Sequence, residues 1–166
     1  GYREDSSNPT VNYNGTISKT SANNAVSVNA KTGGTTTFGG LITGTTTTAN
    51  AINLTSNTGG TITFTGGLAI TTTSGVGFNA TGGGTVNVTG ANNTITTTGA
   101  AAAALNVSST NIGSSGLTFL SIGANGATKG IILNSTGTAA GNGGLTVTGA
   151  GTTVGSGGTI QNTSKR

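Results

Sequence analysis

No histidine and no cysteine occur in this sequence, and its only carboxylate side chains, Glu4 and Asp5, are neighbours near one end. These absences limit the chemistry before any fold is considered. Neither a Ser-His-Asp nor a Cys-His nucleophile can be assembled, and zinc lacks its usual ligands. One adjacent acidic pair does not supply the separated carboxylates of glycoside hydrolysis, and calcium-binding β-roll repeats need regular Asp. The expectation is a chain that is not an enzyme, with no catalytic residue, no cofactor and no metal. Gly82-Gly83-Gly84 is not a phosphate loop, since no Lys-Ser/Thr and no helical pattern follow it.

Charge is equally scarce. Only 5% of residues are charged, and five of the eight charges lie in the first five or last two positions. The net +4 and the pI of 10.0 reflect a lack of acids and not a basic patch, so nucleic acid is not an expected partner. No apolar run approaches the roughly 20 residues of a spanning helix, so the chain is not expected to cross a membrane. Low charge with much Gly and Ser also occurs in flexible linkers. Disorder, however, goes with high net charge and few β-branched residues, whereas this chain is rich in Thr, Val and Ile.

Present in abundance are glycine, with 32 residues, and threonine. They recur in one unit, seen best over Gly59–Gly82, where three alternating strand-like pieces are parted by glycine corners. A first strand recurs as Ala25–Asn29, Ala51–Thr55, Gly75–Asn79, Ala104–Ser108 and Gly130–Asn134, with Thr159–Asn162 as a last copy. A second recurs as Gly34–Phe38, Gly60–Phe64, Gly84–Val88, Gly116–Phe119 and Gly144–Val147. A third carries Ile42, Ile70, Ile95, Ile122 or Val154. A period near 26 with three short strands implies a parallel β-solenoid, each turn stacking on the next. The fold class is thus all-β, a parallel β-helix of about six turns with three strands per turn. Its corners call for positive φ or close backbone approach, which glycine supplies. Residues 1–9, polar and containing Pro9, are expected as a leader or N-terminal cap, and residues 10–166 as one solenoid domain. Residues 123–129 and 136–143 read as longer loops.

Alternation assigns the inward columns. They are Val26/Ile52/Val76/Leu105/Ile131, Val28/Leu54/Phe78/Val107/Leu133, Ile62/Val86/Leu117/Leu145 and Phe38/Phe64/Val88/Phe119/Val147, with Thr36 breaking the third. Asn29, Asn79 and Asn134, with Thr55 and Ser108, share one outward position. Either a hydrogen-bonding ladder or simple turn chemistry accounts for them. The outward Thr-x-Thr residues Thr35, Thr37, Thr61, Thr63, Thr85 and Asn87 form the candidate surface-binding array. Flat arrays of this kind resemble the ice-binding face of some β-solenoid antifreeze proteins, although threonine is also simply a good strand residue. The Asn-x-Ser/Thr triplets follow from composition and are not read as glycosylation sites.

The pieces GGTVNVTG, ALNVSSTNIGSSGLTF, NGATKGIILNSTGT, GGLTVTGAG and GSGGTIQNTS resemble a repeat region of large bacterial secreted or cell-surface proteins. These are adhesin- or autotransporter-like chains with right-handed parallel β-helix repeats. The likeness covers about residues 14–164. It implies an extracellular structural role as a β-helical stalk, adhesin segment or self-assembling fibre subunit. The partners it implies are further copies stacked end to end, or host and matrix glycans. A binding module for glycans or ice is the alternative reading.

Overall fold

Short runs rich in Thr, Val and Ile, closed by Gly, Ser or Asn, favour strands because β-branched side chains are stiff at χ1 and fit a pleated surface. The computed structural model, which describes residues 1–165, contains eighteen strands and no helix. Arg166, the last residue of the expected domain, lies outside the described residues. Every third strand joins the same sheet, giving three six-stranded sheets. The first is β1 (Tyr2–Asp5), β4 (Val26–Asn29), β7 (Ile52–Thr55), β10 (Phe78–Thr81), β13 (Leu105–Ser108) and β16 (Ile131–Asn134). The second is β2 (Val11–Tyr13), β5 (Thr35–Phe38), β8 (Thr61–Phe64), β11 (Thr85–Val88), β14 (Asn111–Phe119) and β17 (Leu145–Val147). The third is β3 (Ile17–Ser21), β6 (Ile42–Thr46), β9 (Leu68–Thr72), β12 (Thr94–Thr97), β15 (Ser121–Asn125) and β18 (Ile160–Gln161). All the pairings are parallel, as in the link from β4 to β7. This is the expected parallel β-solenoid of about six turns. Within the segment expected as a leader or cap, Tyr2–Asp5 already forms a strand paired with β4.

Register differs from expectation in four places. In the first sheet Val26, Ile52, Phe78, Leu105 and Ile131 stack, in steps of 26, 26, 27 and 26 residues. Phe78, not Val76, therefore occupies the first column, and Ala80 stands beside Leu54 and Val107 in the second. The cause is the corner after β10. Three residues separate Thr81 from Thr85, whereas five separate Thr55 from Thr61, so counting back from the glycines shifts the strand by two.

In the second sheet Val86 pairs with Ile112 and Val88 with Leu117. Three extra residues in β14 bulge out, so Leu117 and Phe119 each stand one inward place later than expected. In the third sheet Ile42 pairs with Leu68, and Ile70 instead stands beside Gly44, Ile95 and Ile122. Thr159–Asn162 is not a copy of the first strand: Ile160–Gln161 is β18 of the third sheet, paired with β15. Val154 is almost fully exposed and anchors no strand. Gly123, Ala124 and Asn125 belong to β15 and not to a loop, while residues 136–143 are irregular as expected.

Inward side chains fill a narrow continuous core. A file of aromatic rings runs along its axis. Phe38 stacks on Phe64 at 5.0 Å, Phe64 meets Phe78 edge-on at 5.5 Å, and Phe78 meets Phe119 at 6.2 Å. Tyr2 meets Phe38 edge-on at 5.0 Å, and Tyr13 lies beside both. Such pairs add about 0.5–1.5 kcal/mol each beyond burial. Phe78 comes from the first sheet, Phe64 and Phe119 from the second, so the file ties two sheets together.

The first residue of the corner from first to second sheet is left-handed in every turn: Ser6, Ala30, Ser56, Gly82, Ser109 and Ser135. Glycine fills it only once. The expected glycine chemistry follows later in the same corner, at Gly34, Gly83 and Gly84, and at Gly75, where a Cβ would collide with the Ala49 carbonyl of the turn below.

Candidate functional site

The outward Thr-x-Thr residues of the second sheet fall into two rows in register, Thr35/Thr61/Thr85 and Thr37/Thr63/Asn87. The five threonines are half-buried. Asn87 is different, with only 8% of its surface exposed. The β14 bulge folds over it, and a Cβ on Gly113 would collide with its Oδ1. That Oδ1 is buried and has no protein partner. The array is therefore open at Thr35 and Thr37 and roofed at Asn87.

A second threonine face went unread in the sequence. On the third sheet Thr20, Thr45, Thr71 and Thr96 form one row, a residue per turn, and all four are exposed. Beside it run Ser18, Thr43, Ala69, Thr94 and Ser121. The signal was present in the runs Thr45–Thr48, Thr71–Thr73 and Thr96–Thr98. It was masked because threonine also takes the inward places. Thr46, Thr72 and Thr97 are buried, and the Thr72 and Thr97 hydroxyls bond at 2.9 Å. A sequence with threonine on both faces shows no alternation.

The amide ladder exists, but one row away from the expected place. Asp5, Asn29, Thr55, Thr81, Ser108 and Asn134 share the position expected for Asn79, and Thr55 Oγ1 donates to Asn29 Oδ1 at 2.8 Å. Asn79 moves with Phe78 into the row of Asn53 and Asn106. There Asn79 Nδ2 donates to Asn53 Oδ1 at 3.0 Å and Asn106 Nδ2 to Asn79 Oδ1 at 2.8 Å. Asn50 Nδ2 adds a further bond to Asn53 Oδ1 at 2.9 Å.

Glu4, within the segment expected as a leader or N-terminal cap, points inward beside Val28. Lys31, fully buried, donates from Nζ to Glu4 Oε1 at 2.7 Å and to the Pro9 carbonyl at 2.6 Å. Thr36 Oγ1 donates to Glu4 Oε2 at 2.7 Å, Tyr2 OH donates to the same oxygen at 3.0 Å, and Ser7 donates to Oε1. Burial raises the pKa of the Glu4 carboxyl, but the bonds from Lys31, Ser7, Thr36 and Tyr2 outweigh it and hold the group below the usual carboxylate range. Burial, with the Glu4 charge beside it, pushes the Tyr2 phenol up to about 12. An ionised carboxylate with four donors has no free lone pair aimed at a substrate, so this cluster acts as a polar plug. Thr36, which breaks the apolar column, serves it.

Among the described residues no three His, Cys, Asp or Glu side chains gather as metal ligands. No helix there is long and apolar enough to cross a membrane. Comparison with protein-family models, with curated proteins and with solved structures returned no match.

Proposed function

We propose that the chain is a non-catalytic structural module of a bacterial extracellular surface protein, a β-helical stalk, adhesin segment or fibre subunit that works by extending and stacking. The observation that carries this reading is the end of the solenoid formed by β16, β17 and β18. Leu133, Val147 and Ile160 hold inward positions there yet stay exposed, beside three strand edges that pair with no other strand among the described residues. Open edges of this kind recruit further strands. The repeat sequences that resemble adhesin-like proteins support the same reading.

The test is electron microscopy with sedimentation over a wide concentration range. Rods that lengthen with concentration, and shorten when Leu133 is replaced by Lys, are expected. Particles of one size at every concentration would overturn the stacking role. A second reading, a binding module, is favoured by the exposed row Thr20/Thr45/Thr71/Thr96.

A further inference from the structure

The third-sheet threonine row is broken once. In the turn after Thr96 its place is taken by Gly123, and Thr159 follows opposite Gly123 by continuation of the β15–β18 register. One missing side chain in a row of hydroxyls leaves a dent, and the dent belongs to a groove of about 350 Å³. Thr96, Ser121, Asn125, Thr159 and Gln161 line it around Gly123. Asn125 Oδ1 accepts a bond from Asn162 Nδ2 at 2.8 Å, which leaves its own Nδ2 to donate. Among the described residues the side chains of Thr96, Ser121 and Gln161 have no protein hydrogen-bond partner.

We propose that this groove binds a neutral glycan, with further sugar units lying along Thr96, Thr71, Thr45 and Thr20. Hydroxyls and primary amides each donate and accept, which suits sugar hydroxyls that do the same. Among the described residues no charged side chain lines the groove, so an anionic ligand meets no counter-charge from them. The β-branched threonines are stiff at χ1, so little side-chain freedom is lost on contact. The third-sheet strands carry no aromatic platform, and affinity is correspondingly weak. This inference rests on the binding reading and not on stacking. The groove lies on the side of the solenoid and stays open in single or stacked molecules.

The test is titration of the isotope-labelled chain with maltohexaose, cellohexaose and the hexamer of N-acetylglucosamine, followed by amide chemical shifts. Saturable shifts centred on Thr96, Gly123 and Asn125 are expected with at least one of them. Gly123→Thr fills the dent and is expected to weaken binding at least tenfold. A Cβ there meets only the Ile95 and Thr159 carbonyls at 3.8 Å, an ordinary contact, so the strand is kept. Gln161→Ala trims the wall without touching the backbone and is expected to weaken binding several-fold. Thr63→Val on the second sheet is expected to bind as the parent does. No shift with any of the three sugars would overturn the inference. So would shifts centred on the second sheet, or parent-like binding by both groove variants. Rod lengthening in the microscope stays unaffected in every case, so the two proposals fail separately.

Discussion

Lys31 has no exposed surface, and its ammonium ends on the one carboxylate that points into the solenoid. Removing one partner of such a pair leaves a buried charge alone, at a cost of about 3–5 kcal/mol. Lys31→Met is expected to lower unfolding free energy by that amount, and Glu4→Leu with Lys31→Met to recover most of it, in denaturant titrations. Because the folded Glu4 pKa is depressed, its contribution is fully present above the ordinary carboxylate value of about 4.3 and is lost as pH falls through the lower folded value. The raised Tyr2 value works at the other limit. Its contribution is present below about 10 and is lost as pH climbs towards 12. Stability measured from acid to alkali is expected to fall at both limits, and Glu4→Gln to flatten the acid limb. Left-handed corner residues give a sharper contrast. Ala30 sits at φ 54° and Gly82 at φ 79° in equivalent corners. An L-residue there carries about 1–2 kcal/mol of strain, partly offset by the greater chain entropy lost by glycine. Ala30→Gly is expected to raise stability by up to about 1 kcal/mol, and Gly82→Ala to lower it by about as much. None of this was legible from residue type. Glu4 and Lys31 are 27 positions apart and meet only because consecutive turns stack.

At the level of strands, architecture was legible where apolar and polar residues alternate and register was not. Val-x-Val, Ile-x-Leu and Ile-x-Phe marked strands because each has a polar residue between two inward ones. Nothing in those patterns fixes which inward residue meets which, since a slip of two keeps every face correct. The short corner Gly82–Gly84 and the β14 bulge are such slips, and they displaced Phe78, Asn79, Leu117 and Phe119. The second-sheet array was found because its threonines alternate with Ile62 and Phe64, while the third-sheet row lay hidden in threonine runs. The relocated amide ladder has its own prediction. Asn79 accepts from Asn106 and donates to Asn53. Asn79→Ala leaves Asn106 Nδ2 without its acceptor, while Asn53 Oδ1 keeps the bond from Asn50, and is expected to cost about 1–3 kcal/mol. A leucine at Phe78, by contrast, removes two ring contacts and shows up in the core.

The whole molecule is a line of turns, each touching only its neighbours, so stability is a sum of local terms and not one global quantity. The turns from β4 to β15 bury their inward side chains, while the turn of β16, β17 and β18 leaves Leu133, Val147 and Ile160 exposed. Hydrogen exchange is expected to be slowest for amides of β7 to β13 and fastest in β16 to β18. Uniform protection along the chain would contradict that gradient. A copy stacked on this end is expected to slow exchange there alone.

The file of aromatic rings also has an optical consequence. The sequence has no tryptophan, and its two tyrosines, Tyr2 and Tyr13, both lie in the first turn. Tyrosine emission therefore reports on that turn, whereas far-ultraviolet circular dichroism reports on every strand. A melting experiment that follows both signals reads one end of the solenoid against the whole, with no label attached. If the turns open one after another, the two midpoints separate, and the sign of the difference tells whether the polar plug is the first part to let go or the last.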